Sequence, residues 1–292
     1  MNENVSVAIV GVGRLGASLA DGLMRAGYRV THLAGRDLIT TGVVARTLRD
    51  HVEVCTPSEA VRAADLVFLA VPDDAIEELS GSLPWRAGQW VVHCSGASGL
   101  EVLSAASEAG AVVGCFHPLQ SFPSRQPDAA RFRGITVGIE AQEPLSGVLE
   151  AIARDMGARP VRLEGVDRAL YHASAVFASN DVVALMAAAA RTWALAGLPY
   201  ASAREALAPL MLGAARNVAA LELAEALTGP IARGDTMTIE RHLEVLARSP
   251  ELQALYRALA RVLLAMPLGR SDETRARLAA LLDDAVEGQN HG

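Results

Sequence analysis

The chain has 292 residues, of which 51% are hydrophobic, 20% are charged and 4% are aromatic, so it can bury the core of one large or two ordinary domains. Its formal net charge of −7 argues against nucleic acid or an anionic membrane as a partner, because both require a basic surface. All 26 basic residues are arginines, and the lack of lysine excludes Schiff-base catalysis and a P-loop.

Short β-branched runs alternate with helical segments in the first half of the chain, which is typical of a parallel sheet with helices on both faces. The predicted strands are residues 5–10, 29–34, 66–71, 90–93, 111–116, 135–139 and 160–163. Periodicity predicts a helix over residues 14–26, closed by Gly27. We therefore expect a doubly wound α/β domain over residues 1–163.

The strand pattern stops after Gly165, and residues 164–292 are expected to form an all-α domain. The predicted helices are residues 167–196, 201–226 with a bend or break near Pro209, 238–247, 250–265 and 271–287. Residues 173–190 are apolar enough to suggest a membrane span. Asn180, Asp181 and Arg191 favour a helix buried inside a soluble protein instead.

The three cysteines, Cys55, Cys94 and Cys115, show no C-x-x-C spacing, and the first residues do not resemble a signal peptide. Reduced thiols in a cytoplasmic chain are the expected state. A metal site at His93, Cys94, Cys115 and His117 is not expected, because neighbouring side chains of a strand point to opposite faces.

A glycine-rich turn lies between the first predicted strand and the first predicted helix, with the spacing G-x-G-x-x-G at Gly11, Gly13 and Gly16. Gly11 permits the tight turn, Gly13 lets a pyrophosphate approach the backbone, and Gly16 allows close helix–strand packing. The helix N-terminus at Arg14 and Leu15 then offers free amides to the phosphates. The alternative is a glycine-rich turn without a ligand.

Arg36 stands twenty residues after Gly16, where domains that bind NAD usually carry an acid for the ribose 2′-hydroxyl. A guanidinium there suits a 2′-phosphate, so the sequence favours NADP over NAD. Asp37 keeps NAD open, since a shift of one residue would restore the acid.

Three later predicted strands end in small or polar residues at the edge where open α/β sheets bind ligands. Val71 ends the first and Pro72 follows it, and both are assigned to the cofactor site. Ser95 follows the second and is a candidate for orienting substrate or nicotinamide. His117, fixed by Pro118, is either an acid or ligand anchor near the nicotinamide or a structural loop histidine.

The predicted helical domain supplies three further candidates. His172 shares a helical stripe with Val176, and Asn180 lies about 80° round the helix from it. These two side chains face substrate or form a hydrogen-bond network between helices. Arg233 follows a Thr-Gly-Pro break and either binds a substrate or pairs within a structural turn.

Together these motifs resemble a Rossmann-like oxidoreductase family with a C-terminal helical domain of unknown function. The resemblance rests on the glycine fingerprint, Ala-Val-Pro-Asp at 70–73, His-Cys-Ser-Gly at 93–96, Gly-Cys-Phe-His-Pro at 114–118, Tyr-His at 171–172, Ser-Asn at 179–180, Leu-Thr-Gly-Pro at 227–230, Arg-Gly-Asp at 233–235 and His242. More distantly, the chain is similar to pyrroline-5-carboxylate reductase, ketopantoate reductase, prephenate dehydrogenase and deazaflavin-dependent NADP oxidoreductases. These relatives imply hydride transfer and a homodimer formed through the helical domain. The lysine mechanism of ketopantoate reductases cannot be carried over to this chain.

The leading hypothesis is an NADP-dependent oxidoreductase that transfers a hydride to or from a C=O or C=N bond of a small anionic metabolite. His117 or His172 would transfer the proton, Asn180 and Ser95 would orient substrate or nicotinamide, and Arg233 would bind a carboxylate or phosphate. The alternative is a non-catalytic protein that binds or senses a dinucleotide on the same fold.

Overall fold

The computed structural model describes residues 5–283, which form one sheet of eight strands and a series of helices. The strands are β1 (Ser6–Val10), β2 (Arg29–Ala34), β3 (Glu53–Cys55), β4 (Leu66–Leu69), β5 (Trp90–His93), β6 (Val112–Pro118), β7 (Thr136–Ala141) and β8 (Arg159–Arg162). The helices are α1 (Arg14–Arg25), α2 (Leu38–Ala45), α3 (Pro57–Ala63), α4 (Ile76–Ser82), α5 (Ser104–Glu108), α6 (Leu145–Asp155), α7 (Arg168–Ala178), α8 (Asn180–Leu195), α9 (Tyr200–Ala220), α10 (Leu223–Ala226), α11 (Pro230–Arg233), α12 (Thr236–Leu246), α13 (Pro250–Leu264) and α14 (Asp272–Asp283).

The sheet has the order β3-β2-β1-β4-β5-β6-β7-β8, which confirms the doubly wound α/β class. The sheet departs from the predicted parallel arrangement at one point, because β7 runs antiparallel to β6. Only a 3-10 turn, Ala129–Phe132, lies in the segment that joins these two strands, so no helical crossover restores the direction. Along the parallel strands, Val10, Leu69, His93 and Cys115 occupy one row across the sheet.

The strands bury both of their faces, as their continuous apolar runs predict. In β1, Val7 and Ile9 pack on the side of α1 and α6, whereas Ala8 and Val10 pack on the side of α3 and α4. This alternation gives the sheet two hydrophobic cores, one on each face. The row of strand ends is thereby held rigidly between two packed layers.

The chain divides into two compact units, Met1–Asn180 and Asp181–Gly292. The predicted boundary between residues 163 and 164 lies earlier in the chain, so α7 belongs to the first unit and not to the helical one. The predicted helix over residues 167–196 is not continuous, because Ser179 leaves the helical region with φ −130° and ψ −71°. The break at Ser179 coincides with the division between the units.

The second unit has its own core, formed by α11, α12, α13 and α14 around Ile239 and Leu278. Pro209 is accommodated inside α9, which ends instead at Ala220, before the predicted end at residue 226. Helix α14 is described as far as Asp283, and the rest of its predicted range, residues 284–287, lies outside the described residues.

The apolar surfaces of α8 and α9 are exposed in the single chain. Ala190 is the one buried residue of α8 and Ala203 the one buried residue of α9, while Val183 is 71% exposed and Leu210 is 72% exposed. The expectation that this segment is buried is therefore wrong for the isolated chain. By length and composition alone, the helical run Arg168–Leu195 could also cross a membrane.

Candidate active site

The glycine turn after β1 has the geometry that its three glycines predict. Gly11 has φ +100°, and a Cβ there would lie 2.5 Å from the carbonyl oxygen of Ala70. A Cβ on Gly16 would overlap the carbonyl oxygen of Gly11, so residue 16 must be glycine for α1 to approach the turn. A Cβ on Gly13 would meet no heavy atom within 4 Å. The space over Gly13 is therefore open, as an approaching pyrophosphate requires.

Helix α1 begins without a capping side chain. Its N-cap is Gly13, and no side chain accepts a hydrogen bond from the first amides, which include those of Arg14 and Leu15. Val71 borders the same turn, since its Cγ1 would lie 2.8 Å from a Cβ on Gly11. Uncapped amides at the positive end of a helix dipole form a binding site for an anion such as a diphosphate.

The segment after β2 separates the roles of Arg36 and Asp37. The Asp37 carboxylate caps α2, accepting hydrogen bonds from the amide of Ile39 at 2.9 Å and from the Thr40 hydroxyl. These bonds hold the pKa of Asp37 below its usual value. The exposed Arg36 side chain makes no hydrogen bond or ion pair within residues 5–283. Arg36 is therefore the group available to a ribose 2′-phosphate, whereas Asp37 is engaged in the fold.

A cluster of polar side chains lies at the carboxyl end of β6, on the same sheet edge as the glycine turn. His117 Nδ1 is 3.0 Å from the Tyr171 hydroxyl oxygen, and its ring centroid is 6.1 Å from that of His172. A Cβ on Gly96 would lie 2.7 Å from both His117 Nε2 and His172 Nδ1. The two imidazoles thus converge over Gly96, in the space that a larger residue would fill.

Burial sets the protonation states in this cluster. Desolvation, aided by the nearby His172 and Arg168, lowers the pKa of His117 to about 4. Burial raises the pKa of Tyr171 to about 12 and that of the Cys115 thiol to about 11. Near pH 7 the unliganded site therefore holds a neutral imidazole, a protonated phenol and a protonated thiol.

Arg168 is the main residue of the cluster that the sequence analysis did not identify. Its side chain is 10% exposed, and it donates hydrogen bonds to the carbonyl oxygen of Ser95 at 2.9 Å and to Cys115 Sγ at 3.0 Å. It also lies 3.5 Å from a carboxylate oxygen of Glu140. The signal in the sequence was the spacing 168, 171 and 172, which puts three polar side chains on one face of a helix.

Ser95 and His93 are engaged within their own loop. The Ser95 hydroxyl accepts hydrogen bonds from the amides of Ala97 and Ser98 at 3.2 and 3.0 Å and donates to the Ser98 hydroxyl. His93 is fully buried, accepts a hydrogen bond from the Ser95 amide, and has its pKa lowered to about 4, mainly by desolvation. Both residues shape the loop that carries Gly96.

The other two candidates, Asn180 and Arg233, are described by their own local surroundings. Asn180 is exposed at the start of α8, where its side-chain oxygen accepts a hydrogen bond from Ser179 at 3.0 Å. The break at Ser179 removes the angular relation to His172 that a continuous helix predicts. Arg233 is in the second unit, exposed at the end of α11 before the left-handed Gly234. Their roles toward substrate stay predictions.

The arrangement in the first unit can bind a dinucleotide and handle a proton at one sheet edge. Three strand spacings separate β1 from β6, or about 14 Å between the glycine turn and the end of β6. An extended dinucleotide can cover such a distance, with its phosphates at α1 and its reactive ring near His117. In the part of the chain that the structure describes, no group of three or more His, Cys, Asp or Glu side chains is placed to hold a metal ion.

Two family models match the chain, one in each half. Residues 1–118 match a Rossmann-like domain, and residues 135–263 match DUF2520, a domain of unknown function. These matches agree with the resemblance drawn from the motifs. No functionally curated protein is detectably similar to the chain in sequence.

Solved structures share the fold over most of the chain. A Bacteroides fragilis protein described as a candidate NADP oxidoreductase is 28% identical, with a TM-score of 0.69 over 89% of this chain and 98% of that one. A Thermotoga maritima protein is 24% identical, with a TM-score of 0.65 over 88% and 96% of the two chains. An imine reductase from Pseudomonas sp. is 18% identical, with a TM-score of 0.63 over 95% and 99%. At these identities the last two show a common fold.

Proposed function

We propose that this chain, a Rossmann-like domain joined to a DUF2520 domain, is an NADP-dependent oxidoreductase. It transfers a hydride between the nicotinamide and a C=O or C=N bond of a small anionic metabolite in the cytoplasm. Its three free cysteines are all buried, which suits a reducing compartment. The description of the Bacteroides fragilis structure as a candidate NADP oxidoreductase supports the cofactor and the reaction class.

One observation supports this proposal most strongly. The uncapped amides of α1 and the cluster of His117 lie at the same edge of one rigid sheet. NADP supplies the hydride when it is bound, and the protein residues bind its phosphates, orient it and move the proton. For the substrate anion we propose Arg233, whose exposed side chain has no hydrogen bond or ion pair within residues 5–283.

Measurement of turnover distinguishes an oxidoreductase from a protein that only binds or senses the dinucleotide. Purified protein is expected to consume NADPH with members of a panel of carboxylate-bearing ketones, aldehydes and cyclic imines. Binding of NADPH in calorimetry without consumption across that panel would favour the sensor instead. The panel should include neutral analogues, because an anion-binding arginine predicts that they react with a higher KM.

Cofactor preference depends on Arg36. Arg36→Ala is expected to weaken NADPH binding by about 10- to 100-fold, since a charge-assisted hydrogen bond contributes about 1.5 to 3 kcal/mol. Binding of NADH should stay unchanged, so the difference in affinity between NADPH and NADH becomes smaller. Titration calorimetry or fluorescence with both cofactors measures this difference.

The control is Arg29→Ala, which removes an exposed arginine at the opposite end of the same strand. Its charge loss is the same, but it lies at the amino edge of the sheet and should leave both affinities unchanged. A wild-type preference for NADH would contradict the assignment of Arg36, as would an equal loss in the two variants.

A homodimer through residues 167–292 is the assembly that we propose. It would cover the exposed apolar side chains of α8 and α9, which the single chain leaves in water. Covering them in a second copy, and not in a bilayer, fits the polar Asn180 and Asp181 inside the segment. Light scattering at micromolar concentration should give twice the mass of one chain without detergent.

Val183→Asp should convert that dimer to a monomer, because it places a charge on the exposed apolar face of α8. The matched control, Val161→Asp, changes an exposed valine of β8 in the first unit and should stay dimeric. A monomeric wild type, or one that stays dispersed only in detergent, would be incompatible with this assembly.

A further inference from the structure

Two glycines create the space in which the His117 ring is held. In the antiparallel pair β6–β7, His117 is directly opposite Gly138. A Cβ on Gly138 would lie 2.5 Å from the Tyr171 hydroxyl oxygen, so only glycine leaves room for that hydroxyl beside the imidazole. On the other side of the ring, Gly96 leaves room for His117 and His172 to converge. Gly138 thus leaves room for the Tyr171 hydroxyl, and Gly96 leaves room for the His117 and His172 rings.

Helix α7 places its polar side chains over two successive pairs of residues in β6 and β7. Cys115 and Glu140 form one pair, and Arg168 lies against both of them. His117 and Gly138 form the next pair on the same face, and Tyr171 lies against that pair. Arg168 and Tyr171 are three residues apart and so lie on the same face of α7, toward these two pairs. The contact between Tyr171 and His117 is therefore fixed by secondary structure and not by a mobile loop.

The direction of the hydrogen bond follows from the neighbours of the Tyr171 hydroxyl. Because burial raises its pKa to about 12, Tyr171 keeps its proton near pH 7. Within residues 5–283, His117 Nδ1 is the one hydrogen-bond partner of that hydroxyl. A neutral imidazole offers an acceptor at one of its two nitrogens, so Tyr171 can donate to Nδ1 when the ring proton sits on Nε2.

We propose that Tyr171 is a positioning residue that donates its O–H to Nδ1 of His117, so that the neutral ring keeps its own proton on Nε2 and presents that Nε2–H to the substrate. This proposal rests on the proposed function and assigns proton transfer to His117 and not to His172. His172 Nδ1 also lies beside Gly96, is buried and has no partner within the described residues.

The proton balance of a reduction follows from this arrangement. When hydride reaches the carbon of a C=O bond, the Nε2–H bond of His117 breaks and its proton bonds to the substrate oxygen. The Tyr171 O–H proton moves to Nδ1 at the same time, so the imidazole stays neutral and the negative charge rests on Tyr171. Arg168, whose guanidinium carbon is 5.7 Å from the Tyr171 ring centroid, stabilises that charge until the Nδ1 proton returns to Tyr171 and solvent supplies a new proton to Nε2.

The test is the tautomer of His117, observed by ¹⁵N NMR of histidine-labelled, unliganded protein at pH 7.5. We expect the wild type to carry its proton on Nε2. Tyr171→Phe should give a mixture of both tautomers and lower kcat by about 10- to 100-fold, within the range known for general acid–base catalysis. The KM for NADPH should stay the same, since Tyr171 does not face the phosphates.

Tyr256→Phe is the matched control. Tyr256 makes the same type of contact with His242 in the second unit, at 3.0 Å with ring centroids 5.7 Å apart. It should leave the His117 tautomer and kcat unchanged. A wild-type His117 with its proton on Nδ1 would overturn the proposal, as would a Tyr171→Phe variant with wild-type tautomer and kcat. Absence of turnover in the wild type would contradict the proposed function, while the tautomer would still decide this inference.

Discussion

Gly13→Ala should weaken NADPH binding by about 10- to 100-fold, because a methyl group that overlaps a bound pyrophosphate costs about 1 to 3 kcal/mol. The same change should leave the thermal midpoint of the free protein unchanged. Gly13 has φ −83°, which alanine adopts without strain, and its Cβ would meet no protein atom within 4 Å. Binding and stability are therefore separable at this residue, and calorimetry with and without NADPH measures both.

Two other glycine variants serve as controls for this prediction. Gly16→Ala should lower the thermal midpoint itself, since its Cβ would overlap the carbonyl oxygen of Gly11. Gly81→Ala, in α4, adds a Cβ that likewise meets no atom within 4 Å; it should leave NADPH binding unchanged and should not lower the thermal midpoint, because alanine is favoured over glycine in a helix. If Gly13→Ala bound NADPH as tightly as the wild type, the glycine turn would not be the phosphate site.

His117→Gln should lower kcat by about 10²- to 10⁴-fold, the usual contribution of general acid–base catalysis, with the dissociation constant of NADPH unchanged. Glutamine keeps a polar amide near the position of Nε2 but cannot pass a proton between two nitrogens. Stopped-flow measurement of NADPH oxidation under single-turnover conditions reports the change in the chemical step, separate from product release.

The pH profile gives a second check on His117. Its pKa of about 4 means that the neutral ring, which is the working form, predominates above about pH 5 and is lost as the pH falls through 4. We therefore expect kcat/KM to be constant between pH 6 and 8, since this ratio reports groups of the free enzyme. A fall in kcat/KM as the pH rises through 6.5 would show that an imidazolium is required instead.

The control for this prediction is His242→Gln, which alters a histidine held by a tyrosine in the second unit. It should keep wild-type kcat. A large loss of kcat in His172→Gln, with none in His117→Gln, would identify His172 as the proton donor and refute the assignment to His117.

The glycine turn was predictable from the sequence because its requirements are local. Gly11 and Gly16 are each required by contacts with residues of the turn or of the adjacent strand, whereas Gly13 leaves the space over the turn open. The strands with long apolar runs were found for the same reason. Strand β3 was missed, since its three residues, Glu53–Cys55, are too few to show an alternating pattern.

Most features that the sequence did not predict depend on distant parts of the chain. Arg168 looks like a surface charge until its helix is placed against Cys115 and Glu140, 53 and 28 residues away. The antiparallel direction of β7 depends on a segment whose length and composition do not distinguish a turn from a crossover. The break at Ser179 interrupts a helix that local periodicity favours throughout. The Ser179 hydroxyl donates to the carbonyl oxygen of Ala175, a local bond that often accompanies a bend in a helix.

The two spaces beside His117 have a consequence for comparing relatives of this protein. Glycine inside a strand is unfavourable by about 0.5 to 1 kcal/mol relative to alanine, and Gly138 of β7 does not adopt the left-handed backbone that would otherwise explain its presence. Gly96, in the loop after β5, does not adopt it either. A homologue with alanine at the position of Gly138 could not seat a tyrosine hydroxyl against the histidine. Relatives can thus be sorted by these two small residues, even where the histidine and tyrosine themselves are retained.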